Sequence, residues 1–136
     1  MYTYNVLDKD FMNSSLYKEF INNNSSRGSL RIRAYAASEA VPISNVKVTV
    51  STIYENNKII FFEGYTDSSG LIEKISLPAP SLNMNNLDIP NKRVYEVNAM
   101  YQNINNTYEV NIYENICVLQ NINIIPELMV GEISGN

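Results

Sequence analysis

The sequence predicts an all-β sandwich, and three observations carry that reading. Short stretches of apolar and polar residues alternate along most of the chain, turn-forming residues separate them, and helical spacing occurs only once, near the N-terminus. Of the 136 residues, 45% are apolar and 18% charged, a globular composition too apolar for a disordered chain. At this length one domain buries roughly two-thirds of its unfolded surface, so a core forms without help from a disulfide.

Residues 1 to 13 show no sustained period and are expected to trail over the surface. From Ser14 or Ser15, either a competent N-cap, Leu16, Tyr17, Phe20 and Ile21 fall on one helical face, predicting a helix over about residues 14–22. Alone it is too short to be stable in water, so Leu16 and Phe20 must pack on this domain or on a partner. Residues 22–28 are polar and read as a linker.

The first strand starts at Gly28, where Leu30, Ile32, Ala34 and Ala36 alternate with Arg31, Arg33 and Tyr35. The arginines are expected on a solvated face, an anion site being the alternative. Val41-Pro42-Ile43-Ser44-Asn45 turns the chain into a second strand, in which Val46, Val48 and Val50 alternate with Lys47, Thr49 and Ser51. Asn56-Asn57 leads into a third, residues 58–65, whose run Ile59-Ile60-Phe61-Phe62 is apolar on both faces, as in a central strand or one covering an interface.

Thr66-Asp67-Ser68-Ser69-Gly70 is a turn sequence, and it is expected to close a hairpin onto a fourth strand over residues 71–77. Pro78 and Pro80 stop that strand, and a loop runs from 78 to 91. Three more strands follow at 93–101, 107–113 and 116–125, with turns at 103–106 and 114–115. In them Tyr95, Val97, Ala99 and Tyr101 share one face, as do Tyr108, Val110 and Ile112. Seven strands at this spacing predict an antiparallel sandwich of immunoglobulin or transthyretin type with a short N-terminal helix. The expected organisation is an N-terminal segment over 1–27, the sandwich over 28–126 and a flexible tail over 127–136.

The composition excludes several chemistries. The chain has no His, which rules out Ser-His-Asp and Cys-His arrangements and, with a single Cys, a structural zinc site. Cys117 lies in an apolar-alternating run and is expected to be buried and inert. The five glycines form no phosphate loop, and a net charge of −4 argues against nucleic acid as a partner. A glycosidase-like pair from Glu63 with Asp67 or Glu73 lacks an enclosed site, and Asp67 to Gly70 lacks the alternating acids of a calcium loop. Lys47, by its alternation, lies outside the core where an isopeptide bond would need it. No apolar stretch reaches membrane-span length, and residues 1–11 lack the pattern of a secretory signal, so a cytoplasmic location is expected.

Gly28-x-Leu30-x-Ile32, the string Val41 to Val48, Thr66-Asp67-Ser68-Ser69-Gly70 and Tyr95-x-Val97 together resemble the carboxypeptidase regulatory-like domain, a transthyretin-related sandwich. With Leu77-Pro78-Ala79-Pro80 and the closing run from Leu119 to Pro126, the chain is similar to the non-catalytic N-terminal region of clostridial spore cortex-lytic enzymes. One departure is Met100 before Tyr101, where that family has a Gly-Tyr pair. The resemblance implies an accessory module, spore- or cell-envelope-associated, without the lytic domain. Transthyretin-like hydrolases share the fold but depend on histidines absent here, so the expectation is no enzyme and no cofactor. A protein partner or self-association is expected at Leu16, Phe20, Tyr35, Phe61, Tyr95 and Tyr101. The alternative is a carbohydrate-binding module that holds peptidoglycan on its exposed tyrosines.

Overall fold

Two sheets face each other around one apolar core, the all-β sandwich expected, in a computed structural model that describes residues 1–37, 40–82 and 91–125. The elements in chain order are β1 (Thr3–Asn5), α1 (Lys9–Met12), α2 (Ser15–Asn23), β2 (Ser26–Ala36), β3 (Val41–Pro42), β4 (Lys47–Tyr54), β5 (Asn57–Tyr65), β6 (Leu71–Ala79), β7 (Arg93–Tyr101), β8 (Ile104–Ile112) and β9 (Cys117–Asn123). The first sheet has the order β1-β5-β4-β7-β8; in the second, β2 carries β3, β6 and β9. Alternation chooses what goes inside: Leu30, Ile32 and Ala34 of β2 and Ile75 and Leu77 of β6 meet Val48 and Val50 of β4, Val97 and Ala99 of β7, and Val110 and Ile112 of β8.

Not every pairing is antiparallel. β1 runs parallel to β5, with Tyr4 opposite Ile59, and β9 runs parallel to β2, with Val118 opposite Leu30. The second follows from residues 113–116, which carry the chain from one sheet to the other rather than back along β8. Gly28 makes room for that crossing, since a Cβ there would lie 2.2 Å from the Tyr113 carbonyl oxygen. Asn115 N–H donates to the Arg27 carbonyl and Ser29 N–H to that of Ile116.

The turn at Thr66 to Gly70 also joins the two sheets and closes no hairpin, because β5 pairs with β4 and β1 while β6 pairs with β2. Local turn chemistry was legible, but its destination is set by tertiary hydrogen bonds. Asp67 Oδ1 accepts from Ser69 and Leu71 N–H, and Thr66 Oγ1 donates to the Ile43 carbonyl and accepts from Val46 N–H. Gly70, at φ +74°, gives its carbonyl to Ala34 N–H at 2.7 Å; a Cβ there would meet the Ala34 carbonyl oxygen at 2.4 Å.

Residues 1–13, expected to trail, add structure instead. β1 extends the sheet beyond β5, and Phe11 of α1 is buried. Ser14 caps α2, its hydroxyl accepting from Tyr17 N–H, and the helix drives Phe20 into a second cluster with Phe11, Tyr54 and Ile59. Burying a ring of this size stabilises by roughly 2–3 kcal/mol. Most of the 78–91 loop and the whole 127–136 tail lie outside the described residues.

Candidate functional site

The six residues expected to meet a partner divide into two groups. Leu16, Phe20, Phe61 and Tyr95 come together, but as core. A bulge in the β4–β5 ladder inserts Phe61 as an extra residue, since Val50 pairs with Phe62 and Ser51 already with Ile60. Its ring lies 5.4 Å from Phe20 and 5.7 Å from Tyr95, joining the helix cluster to the sandwich core. That bulge is the physical reason a run apolar on both faces fits here. Phe20 and Tyr95 are fully buried and closed to any partner. Tyr95 Oη donates to the Pro78 carbonyl at 2.5 Å, and burial pushes its pKa well above the usual tyrosine value.

Tyr35 and Tyr101 lie elsewhere. Tyr35 is half-buried beneath the Arg33 guanidinium, 5.0 Å from its ring, and Tyr101 packs against the sandwich core. Tyr65 is well exposed on the outer face of β5, so the tyrosines assemble no stacking shelf. Arg31 reaches Glu73 at 3.6 Å, Glu63 accepts from Asn5, and Asp67 serves its turn, so the conceivable carboxylate pairs are not brought together. Cys117 is exposed rather than buried, because Val118 and Ile122 take the inward positions of β9 and leave Cys117 and Leu119 outside.

Sequence periodicity did not single out the surface that stands apart. On the outer face of β4, β7 and β8 a groove of about 560 Å³ is lined by Thr52, Ile53, Val94, Glu96, Thr107 and Glu109, with Arg93. Glu96 and Glu109 sit directly opposite one another on β7 and β8, a like-charge pair that costs stability in a sheet. Neither carboxylate has a cation within salt-bridge distance among the described residues. Arg93 is engaged: its Nε donates to Thr52 Oγ1 at 3.1 Å, its Nη2 to the Ile53 carbonyl, and its guanidinium stacks on Phe20 and Tyr54. Ile53 and Val94 leave 46% and 38% of their surface open at the rim. Such cross-strand pairings become visible only once register is known.

The groove ends at an open edge. β8 pairs with β7 and with no other strand among the described residues. Its hairpin turns through Gln102 and Asn103, so Tyr101 and Ile104 form the hydrogen-bonded closing pair. By the antiparallel alternation, the backbone N–H and C=O of Asn105, Thr107, Glu109 and Asn111 then point away from the sheet. Over its nine residues β8 contains no Pro, Lys or Arg, and its register with β7 has no bulge. Of the devices that ordinarily blunt an edge, it carries only the charge of Glu109.

No family model matches the sequence, and no curated protein matches it. Among solved structures, the chain is similar to the 5-hydroxyisourate hydrolase of Klebsiella pneumoniae at 14% identity, with a TM-score of 0.40, over 71% of this chain and 87% of that one. The expectation that this chain is not an enzyme is withdrawn on that finding, since the matched protein is a hydrolase; nothing of its activity is carried over here. No helix among the described residues is long and apolar enough to cross a membrane.

Proposed function

We propose that this chain is a protein-interaction module that takes an extended segment of its partner onto β8. The observation supporting the reading is the open edge, whose outward backbone groups at Asn105, Thr107, Glu109 and Asn111 lack a described strand to pair with. Strand addition satisfies such groups in one step and is a common mode of peptide recognition. A setting in spore or cell-envelope assembly, implied by the sequence resemblance, belongs to this proposal, as does the cytoplasmic location expected from the sequence. The peptidoglycan alternative loses its support with the dispersal of Tyr35, Tyr65, Tyr95 and Tyr101.

The test is affinity capture from lysate of sporulating cells by the wild-type protein and by Thr107→Pro, with purified peptidoglycan in parallel. Proline at 107 removes an N–H that faces away from β7, so it blocks strand addition while sparing the β7–β8 ladder. A partner captured by the wild type and lost with Thr107→Pro supports the reading. Capture that ignores the substitution, or retention on peptidoglycan alone, contradicts it.

A further inference from the structure

We infer that the segment added to β8 is basic, and that a Lys or Arg side chain of it enters the groove beside Glu109 and Glu96. The inference rests on the strand-addition reading above and names the chemistry of the partner. A strand paired with β8 continues the pleat, so its side chains opposite Thr107 and Glu109 project on the same outer face as the groove. There they meet two carboxylates held across from each other by the β7–β8 register, with no cation paired to either among the described residues. The mutual repulsion of that pair is relieved by a positive charge between them, and a second acid would add to it. The cation already at the groove, Arg93, is held by Thr52 and the Ile53 carbonyl.

The neighbouring surface suits an extended cationic segment. Asn98 Nδ2 donates to Asn105 Oδ1 at 2.7 Å and to Thr107 Oγ1 at 3.1 Å, so these groups form a polar ladder across β7 and β8. Ile53 and Val94 at the rim offer apolar surface to the methylene stem of a Lys or Arg whose charged head reaches the acids. A second copy of this chain fits less well. Antiparallel pairing of β8 with itself about Tyr108 sets Thr107 against Glu109 and brings no cation to the acids, because β8 contains none.

The probe is a fluorescein-labelled nonapeptide alternating valine and threonine with one central lysine, compared with the same peptide carrying glutamate there. Fluorescence anisotropy is expected to show the lysine peptide binding the wild-type protein roughly tenfold or more tightly than the glutamate peptide, a gap that narrows as salt is raised. Glu109→Lys is expected to reverse the preference, and Thr107→Pro to abolish binding of both peptides. Circular dichroism checks that each variant is folded, and Glu109→Lys, at an exposed position, keeps the test decisive if Thr107→Pro is not. Equal binding of the two peptides, no binding of either, or a preference unchanged by Glu109→Lys overturns the inference. So does sedimentation showing a wild-type dimer that Thr107→Pro converts to monomer. A cellular partner lost with Thr107→Pro but retained by Glu109→Lys would leave the strand-addition reading standing and sink only the basic character assigned to the segment.

Discussion

The two edges of the five-stranded sheet are treated in opposite ways. At one edge, β5 would be exposed, but β1 pairs with it and the two helices pack a ladder of rings alongside: Tyr4 on Phe11 at 4.7 Å, Phe11 against Tyr17 at 5.3 Å, and Phe20 against Phe61. At the other, β8 pairs with no further strand among the described residues, and Asn123 and Ile125 approach only its start. Residues 1–23 thus contribute to the closed edge, and no comparable segment among the described residues covers the open one. A sheet edge left long, flat and with few protecting residues is an aggregation hazard unless it is used. The contrast is what leads us to propose β8 as a binding surface.

The largest way to break the contrast is to undo the closed edge. Phe20→Ala removes the ring that joins the helix cluster to Phe61 and Tyr54 and is expected to destabilise by about 3–5 kcal/mol, measured by urea unfolding. Proline placed at each edge sharpens it. Lys58 N–H donates to the Tyr2 carbonyl at 2.9 Å, so Lys58→Pro breaks the β1–β5 ladder and is expected to cost about 1–3 kcal/mol. Thr107→Pro breaks no backbone ladder bond, losing only the exposed Asn98 contact, and at an outward-facing edge position is expected to cost under about 1 kcal/mol. Equal losses at the two sites, read from thermal or chemical denaturation, would erase the distinction.

Tyr95→Phe leaves the buried Pro78 carbonyl without its donor and is expected to cost about 1–3 kcal/mol at neutral pH. Because burial raises the folded-state pKa of Tyr95, the stability it contributes is fully present below the ordinary tyrosine value and is lost as pH rises beyond it. The smallest effect belongs to Glu114, just past the end of β8. Its carboxylate accepts from Leu82 N–H at 2.7 Å and Ser26 Oγ at 2.8 Å, contacts that lower its pKa, the Leu82 bond most. A depressed pKa means stability present above the unfolded carboxylate value and lost as pH falls through the folded one. Glu114→Gln should therefore flatten the acid limb of the stability curve slightly and leave the alkaline limb unchanged.

What was legible in the sequence was whatever depends on near neighbours. The period-2 runs at Leu30 to Ala36 and Val46 to Val50 gave strands, and Ser14 before Leu16 gave a capped helix. What was not legible depends on where a turn delivers the chain. Asp67 and Gly70 form the turn their chemistry demands, yet whether it returns along β5 or crosses to β2 is decided by the Gly70 bond to Ala34, which no local pattern encodes. Residues 104–106 are polar enough to pass for a turn, but Gln102, at φ +53°, completes the reversal early and frees Ile104 to start β8. Tyr4 and Phe11 lie too irregularly for a period, and only the rings they meet reveal them as core. The groove acids fall on alternate positions of two strands whose register is a tertiary fact, so no reading of the linear chain pairs Glu96 with Glu109.

The central claim is that the backbone of β8 is free and receives a strand. Amide hydrogen exchange by NMR addresses it residue by residue, with and without the central-lysine nonapeptide. The account predicts that the Asn105, Thr107, Glu109 and Asn111 amides exchange fast in the free protein and become protected on binding, while the Asn106, Tyr108 and Val110 amides are protected throughout. Protection of the first set in the free protein, or no change on adding peptide, would contradict it.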